Sequence, residues 1–327
     1  MLKNLLDYEI TALLGESMHA EVYKAHLKGN SQQQVVIKKI KPQFCNRDLQ
    51  NYLQLQINHL IELNLPHCII PTIKRLSYEQ LCLIQPWVSG QTLTQKLAEQ
   101  FSFDLEQVLI IVSAIATQIE ERHQAGLIHK SIKPSNILIM SDNETIQIID
   151  DIRILDINQI SHFIYQYSFK NHTLPYISPE QTGRIKQDVN YSTDLYSLGM
   201  ILCECLTGKA PFLFDDPLTI IHSHLAEQPC SADSINKDIP QTVGNIARVL
   251  LQKPPEKRYQ TAAGLVYDLN SCLQQWQTTQ QIDKFTLKQK DYSNRITIPS
   301  LLVGRTTQKQ QLLQEHAESC SGYFRAA

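Results

Sequence analysis

The 327-residue chain has no apolar run near the ~18–20 residues that cross a bilayer, and polar side chains interrupt its longest apolar stretches. Its first residues, Met1-Leu2-Lys3-Asn4-Leu5-Leu6-Asp7, lack the apolar core and small-residue cleavage site of a secretory signal. Excess charge of one sign is missing too. Thirty basic against 32 acidic residues leave a net charge of -2, which gives no electrostatic reason for a nucleic-acid or anionic-membrane partner. The eight cysteines include no CxxC pair, and Cys203 and Cys205 fall in an apolar, helical segment that reads as buried thiols rather than metal ligands. Charged residues make up 19% of the chain and apolar residues 43%, the balance of an ordinary globular protein rather than a disordered one. These absences lead to the expectation of a cytoplasmic protein with room for two domains, or for one two-lobed unit and a fragment.

Residues 8–40 alternate apolar and β-branched side chains (Tyr8, Ile10, Ala12, Leu14, then Val22, Tyr23, Ala25, then Val35-Val36-Ile37), with the turn-rich Lys28-Gly29-Asn30-Ser31 between the later pair. That pattern predicts three antiparallel strands. A helix is expected over about Asp48–Leu63, two more strands over 69–88 with a break near Ser77-Tyr78-Glu79-Gln80, and another helix from about Leu93. Leu105, Val108, Leu109, Val112, Ile115, Ala116 and Ile119 then recur at helical spacing up to a glycine stop at Gln124-Ala125-Gly126.

The stop delivers the chain into His129-Lys130-Ser131-Ile132-Lys133-Pro134-Ser135-Asn136. This run resembles the catalytic loop of a protein kinase, His-Arg-Asp-x-Lys-Pro-x-Asn, with Ser131 where the Asp should be. Other segments match the same family in the same order. Val35-Val36-Ile37-Lys38 resembles the Val-Ala-Ile-Lys strand, and Ile148-Ile149-Asp150 the strand leading into Asp-Phe-Gly. Ser178-Pro179-Glu180 resembles Ala-Pro-Glu, and Leu206-Thr207-Gly208-Lys209-Ala210-Pro211-Phe212 matches a family signature. Gly208-Lys209 is not a Walker motif, since the upstream Gly and following Ser/Thr are absent.

The resemblance spans about residues 8–275 and implies an α+β, two-lobed fold: a small β-rich N-lobe (1–88) and a larger helical C-lobe (89–275). It implies ATP and Mg as cofactors. Gly15 and Val22 would belong to the phosphate loop and Lys38 would contact the phosphates. Pro86 and Val88 would lie at the adenine-binding hinge, Asn136 and Asp150 would hold magnesium, and Lys133 would neutralise the transferring phosphoryl group. Asp194 would fasten the catalytic-loop backbone, Arg258 would pair with Glu180, and Thr173 would sit near Lys133.

Against this stand several departures. Ser131 cannot accept a proton at pH 7. The helix over 48–63 offers only amides to pair with Lys38 (Gln54, Gln56, Asn58, with Gln56 the best placed). Asp151 and Ile152 replace the Phe-Gly of the metal loop, and a carboxylate there is costly to bury unless paired. The phosphate loop, Leu14 to Tyr23, keeps only Gly15, with Ser17 and Ala20 as small substitutes.

More narrowly, Thr173–Arg184 and the DDPLTIIHSHLAEQP segment resemble the kinase module of large bacterial signalling proteins in which an AAA-type ATPase and often a sensor histidine kinase follow. Residues 276–299, rich in Gln, Thr and Lys, read as a linker, and 300–327 as the truncated start of the ATPase module, without a Walker A sequence. The expected partners are therefore ATP and the adjoining modules or a protein substrate, with no nucleic acid and no membrane span. Three functions fit: a pseudokinase of the Ser/Thr type with residual Mg·ATP binding and a regulatory role, a slow but active Ser/Thr kinase, or a nucleotide-free interaction scaffold. Ser161, Tyr165, Tyr167 and Ser168 fall in the activation segment and read as plain loop.

Overall fold

The alternating apolar residues at the start of the chain pair into strands β1 (Asn4–Leu5), β2 (Tyr8–Glu16), β3 (Ala20–Leu27) and β4 (Asn30–Ile40). The computed structural model describes residues 4–5, 7–17, 19–77, 80–99, 103–140, 145–152, 154 and 173–292. All lie within one unit, Met1–Tyr292; a second, Ser293–Ala327, falls outside the described residues together with the expected ATPase start. Ser161, Tyr165, Tyr167 and Ser168 also lie outside them.

Gly29, at φ 79°, turns β3 into β4 in a backbone conformation that side-chain-bearing residues avoid. Helix α1 (Arg47–Leu63) follows, its first turn capped by the Asn46 side chain, which accepts from the Leu49 N–H at 2.7 Å. Leu49, Leu53, Ile57 and Leu60 form its buried stripe against the sheet. Strands β5 (Thr72–Ser77) and β6 (Gln80–Pro86) complete a six-stranded antiparallel sheet in the order β1-β2-β3-β4-β6-β5. The register sets Gly15 opposite Val22, Val22 opposite Lys38 and Lys38 opposite Leu83. Directly paired residues share a face, so these four positions stand in a row above the cleft. Not all of β2 follows its pattern. Register shifts after Ile10 and Leu13 break the alternation, and Leu13 and Leu14 are exposed rather than packed.

Beyond β6 come β7 (Gly90–Thr92), α2 (Leu93–Glu99) and α3 (Leu105–Gln124), then β8 (Ile137–Met140) and β9 (Ile146–Ile148), which join β7 in a small sheet. Helix α4 (Tyr191–Thr207) is buried almost all round and along its length, its polar Ser192, Thr193, Asp194 and Ser197 included, which makes it the centre of the helical lobe. A Cβ on its Gly199 would stand 2.7 Å from the Leu250 Cβ, so only glycine lets α7 (Gln241–Leu250) approach so closely. Helices α5 (Pro217–Ala226), α6 (Ala232–Ile235) and α8 (Ala262–Thr279) surround this core. The expected α+β, two-lobed architecture is thus the observed one.

Composition predicts a linker from residue 276; the folded unit continues past that point. Helix α8 runs to Thr279, and Gln280, at φ 55°, turns the chain back. Ile282, Phe285 and Leu287 then pack against the C-lobe core. The Asp291 carboxylate accepts from the N–H groups of Gln260 and Thr261 at 2.9 and 2.8 Å, and the Lys288 N–H donates to Asp268 at 2.9 Å. The polar composition of this stretch conceals three apolar anchors.

His224 on α5 is fully buried between the Tyr196 hydroxyl (3.0 Å from Nδ1) and the Leu174 carbonyl (2.9 Å from Nε2). Burial, reinforced by Lys253, pushes its pKa from 6.5 down to about 3, although the Leu174 bond opposes the shift. A neutral buried histidine stabilises the fold fully above its unfolded pKa and progressively less as pH falls towards the folded one. Two pH units below 6.5 this group alone costs about 3 kcal/mol. We expect the His224 contribution to Tm to be constant above pH 7 and to be lost between pH 6.5 and 4.5, so that Tm falls less steeply over that window in His224→Gln. Equal slopes in pH-dependent melting of the two proteins would contradict this assignment. Asp150 and Asp194, held below the usual carboxylate range, lose their contribution only at lower pH.

Candidate functional site

The floor of the cleft is built from the segment between α3 and β9. Gly126, at φ 82°, ends α3, and the chain enters the loop at His129. The buried Asp194 carboxylate accepts the His129 N–H at 2.8 Å and the Lys130 N–H at 2.6 Å, and the His123 ring lies 2.9 Å away. Burial alone would raise the pKa of Asp194; the His123 bond and the nearby His123 and His129 rings outweigh it and hold the acid below its ordinary range. These bonds fix Lys130 at φ 59°, a strained backbone state for a residue with a side chain. The Ser131 N–H lies 3.2 Å from His129 Nδ1, and the ring's Nε2 lies 3.2 Å from the Ile149 carbonyl. The loop backbone is therefore anchored at three successive residues.

Asn136 closes a 3-10 turn, Pro134–Asn136. Its Nδ2 donates to the Ser131 carbonyl at 3.0 Å, with the Ser131 hydroxyl at 3.4 Å, while its own carbonyl accepts from the Ile149 N–H at 2.9 Å. With Nδ2 so engaged, the amide oxygen is the atom left for a hard cation. Two residues after β9, Asp150 adopts φ 69° and meets the Lys38 ammonium at 2.7 Å. Burial would raise the Asp150 pKa, yet Lys38, aided by Lys133 and His129, holds it below the ordinary carboxylate range. An ionised carboxylate beside an amide oxygen is a donor set that suits Mg²⁺, which binds few protein oxygens and shares the rest of its shell with phosphates and water. These two residues thus fit the metal that the resemblance implies. Lys133 reaches the Thr173 hydroxyl at 2.9 Å, as expected of a positioning contact.

The other expected residues divide into those brought to the cleft and those that are not. Lys38 pairs with Asp150 rather than with an amide of α1: Gln54 and Asn58 are exposed and bond each other at 2.9 Å, and Gln56 is half-buried. Gly15 and Val22 lie on the roof, and a Cβ at Gly15 would meet no atom within 4 Å, so glycine is not a steric necessity there. Pro86 ends β6 opposite Val35, and Val88 is half-buried just beyond it. In the loop between β2 and β3 the Ser17 hydroxyl accepts from the Ala20 and His19 N–H groups at 3.0 and 3.3 Å. A phosphate loop presents such N–H groups to its ligand; here a side chain of the loop itself holds them.

Sequence reasoning missed two residues. His19 is half-buried at the loop tip, its Nε2 has no hydrogen-bond partner, and burial together with Lys38, Lys41 and Lys133 lowers its pKa to about 4. Arg122, near the end of α3, is fully buried against Asp151, with Nε–Oδ1 at 2.7 Å and Nη2–Oδ2 at 3.0 Å. This bidentate pair resolves the cost anticipated for a carboxylate in the metal loop. The available signal was positional: Arg122 falls three residues after Ile119 on the apolar stripe of α3.

A β-rich lobe over a helical lobe, with a lysine on the roof facing an aspartate and an asparagine on the floor, is the two-lobed kinase-like arrangement. The chain belongs to the protein kinase domain family, whose model matches residues 8–269. It is 28% identical to a probable serine/threonine-protein kinase of Clostridium perfringens over 92% of this chain and 43% of that protein. It is 32% identical to the serine/threonine-protein kinase PknB of Mycobacterium leprae over 57% of this chain and 29% of that protein. A 101-residue stretch is 48% identical to the hybrid signal transduction histidine kinase G of Dictyostelium discoideum, covering 31% of this chain and 3% of that protein. The chain therefore spans less than half the length of these curated relatives. Among solved structures, the PknI kinase domain of Mycobacterium tuberculosis superposes with a TM-score of 0.60 at 22% identity, over 82% of this chain and 96% of that one.

Proposed function

We propose that this kinase domain is a pseudokinase of the Ser/Thr type that binds Mg·ATP weakly and acts by presenting its conformation to neighbouring modules of a signalling protein. The observation that carries the reading is the contrast within one cleft. Lys38 and Asp150 meet at 2.7 Å with Asn136 nearby, while the position of the proton acceptor holds the Ser131 hydroxyl. When bound, Mg·ATP would supply the phosphoryl group and its charge-neutralising metal. Asp150 and the amide oxygen of Asn136 would hold the metal, and Lys38 would orient the phosphates. Ser131, neutral at pH 7, does not take the proton of an acceptor hydroxyl. Weak binding follows from the Ser17-closed loop, whose N–H groups must exchange partners before they reach a phosphate. The length of the relatives and the Dictyostelium match support a multidomain setting.

A second reading, a slow but active Ser/Thr kinase, draws on the intact Lys133–Thr173 contact. Thermal melting decides whether nucleotide binds. Tm should rise with Mg·ATP in the millimolar range, respond less to ATP in EDTA, and stay unmoved by nucleotide in Lys38→Met. A wild-type Tm indifferent to Mg·ATP would leave only the scaffold reading. Steady transfer of labelled phosphate by the wild type, lost in Lys38→Met, would establish the active kinase instead.

A further inference from the structure

The Arg122–Asp151 pair does more than satisfy a misplaced carboxylate. Asp151 directly follows Asp150, the residue that must face Lys38, and Asp150 is held at φ 69°. Both Asp151 oxygens are engaged by Arg122, the Cys68 thiol donates to Oδ2 at 3.4 Å, and His129 Nε2 lies 3.9 Å from Oδ1. Both ionised side chains are buried, at 1% and 0% exposure, so water does not screen them. Arg122 also reaches away from the loop. Its Nη1 donates to the Gln118 carbonyl at 3.2 Å and its Nη2 to the His67 carbonyl at 3.1 Å. The His67 carbonyl accepts in addition from the Gln147 side chain at 2.6 Å. One guanidinium thus joins the loop leaving α1, the body of α3 and the residue after the metal-ligand candidate. That junction lies where the family pattern would have an apolar ring, and where α1 offers Lys38 no carboxylate.

We propose that Arg122 and Asp151 are positioning residues that clamp the metal loop in the one state in which Asp150 faces Lys38, so that magnesium nucleotide meets a preset site. The proposal rests on the nucleotide-binding reading above for its ligand, but the clamp acts in the free protein and can be read there. An apolar pair would fill the same space without directional bonds to the loop or to His67.

The test compares the wild type with Arg122→Leu/Asp151→Leu, a double variant that strands no buried charge, and with Asp151→Asn, which keeps the shape and loses the charge. Two quantities are read on each: affinity for Mg·ADP by calorimetry, and amide hydrogen exchange over residues 145–152 without nucleotide. The clamp predicts a double variant that melts cooperatively, exchanges faster over this segment, and binds Mg·ADP about 10–100-fold more weakly, the usual cost of losing a partner behind a metal ligand. A folded double variant with wild-type exchange and wild-type affinity would overturn the proposal. If the double variant does not fold, Asp151→Asn decides on the same two readouts. If the wild type binds no Mg·ADP, the nucleotide reading fails by itself, and exchange alone judges the clamp: faster in the variant upholds it, unchanged rejects it.

Discussion

Replacing Ser131 by Asp raises phosphate transfer from Mg·ATP by about 10²–10⁴-fold over the wild type, the usual contribution of a positioned general base. The backbone at this position is already set. The Ser131 N–H is bound to His129, its carbonyl to Asn136, and the two preceding N–H groups to Asp194. A carboxylate grafted there leaves the loop along the vector that the hydroxyl now uses. Ser131→Asn is the control, matching Asp in size and shape but unable to accept a proton, and it should stay at the wild-type level. Adding Lys38→Met to Ser131→Asp should abolish the gain. Labelled transfer to the protein itself and to a generic protein substrate is the measurement. If Asp and Asn variants are equally inert, the missing base is not the sole lesion, and the fault lies in the self-closed loop around Ser17 and the amide at Gln56.

The second large effect is on stability. Glu180 and Arg258 form a bidentate pair at 2.7 and 2.9 Å with both side chains at 0% exposure. The remaining guanidinium donors reach the carbonyls of Ser192, Gln252 and Lys253, and Glu180 also accepts from the Thr193 hydroxyl at 2.7 Å. Every polar hydrogen of Arg258 is thereby satisfied, the condition under which a buried ion pair is sustainable. Glu180→Ala removes the counter-charge and leaves a cation in the core, a loss of about 3–5 kcal/mol. In a domain of this size that lowers Tm by roughly 6–15 °C. Glu180→Gln, which retains hydrogen-bond acceptance, should fall between the two. A Tm change in Glu180→Ala no larger than an exposed pair gives, about 1 kcal/mol or less, would show that the pair contributes little.

The fold was legible because its signals are redundant. The apolar stripe of α3 announces its element, and the motifs fall in an order that only one architecture accommodates. The anchoring roles expected for Asp194 and Arg258 match the contacts observed, since both follow from motif position. The clamp was not legible, because each half reads as a defect alone: a charge on an apolar stripe, and a carboxylate in place of a ring. Only their juxtaposition across 29 residues turns two penalties into one contact. The closure of the loop by Ser17 was hidden for a different reason, since a small residue replacing glycine reads as mere tolerance until its hydroxyl is seen holding the backbone.

The returning segment after α8 bears on how the domain could be exchanged between genes. A junction drawn at residue 275, where composition changes, would separate Ile282, Phe285 and Leu287 from the surface they cover. It would also take Asp291 from the two N–H groups it caps ahead of α8. The recipient would inherit a helical lobe with a bare floor, and the donor a remnant with three apolar side chains and nothing to rest them on. A crossover that leaves the helical lobe whole falls after Tyr292, well inside the stretch whose composition reads as a spacer.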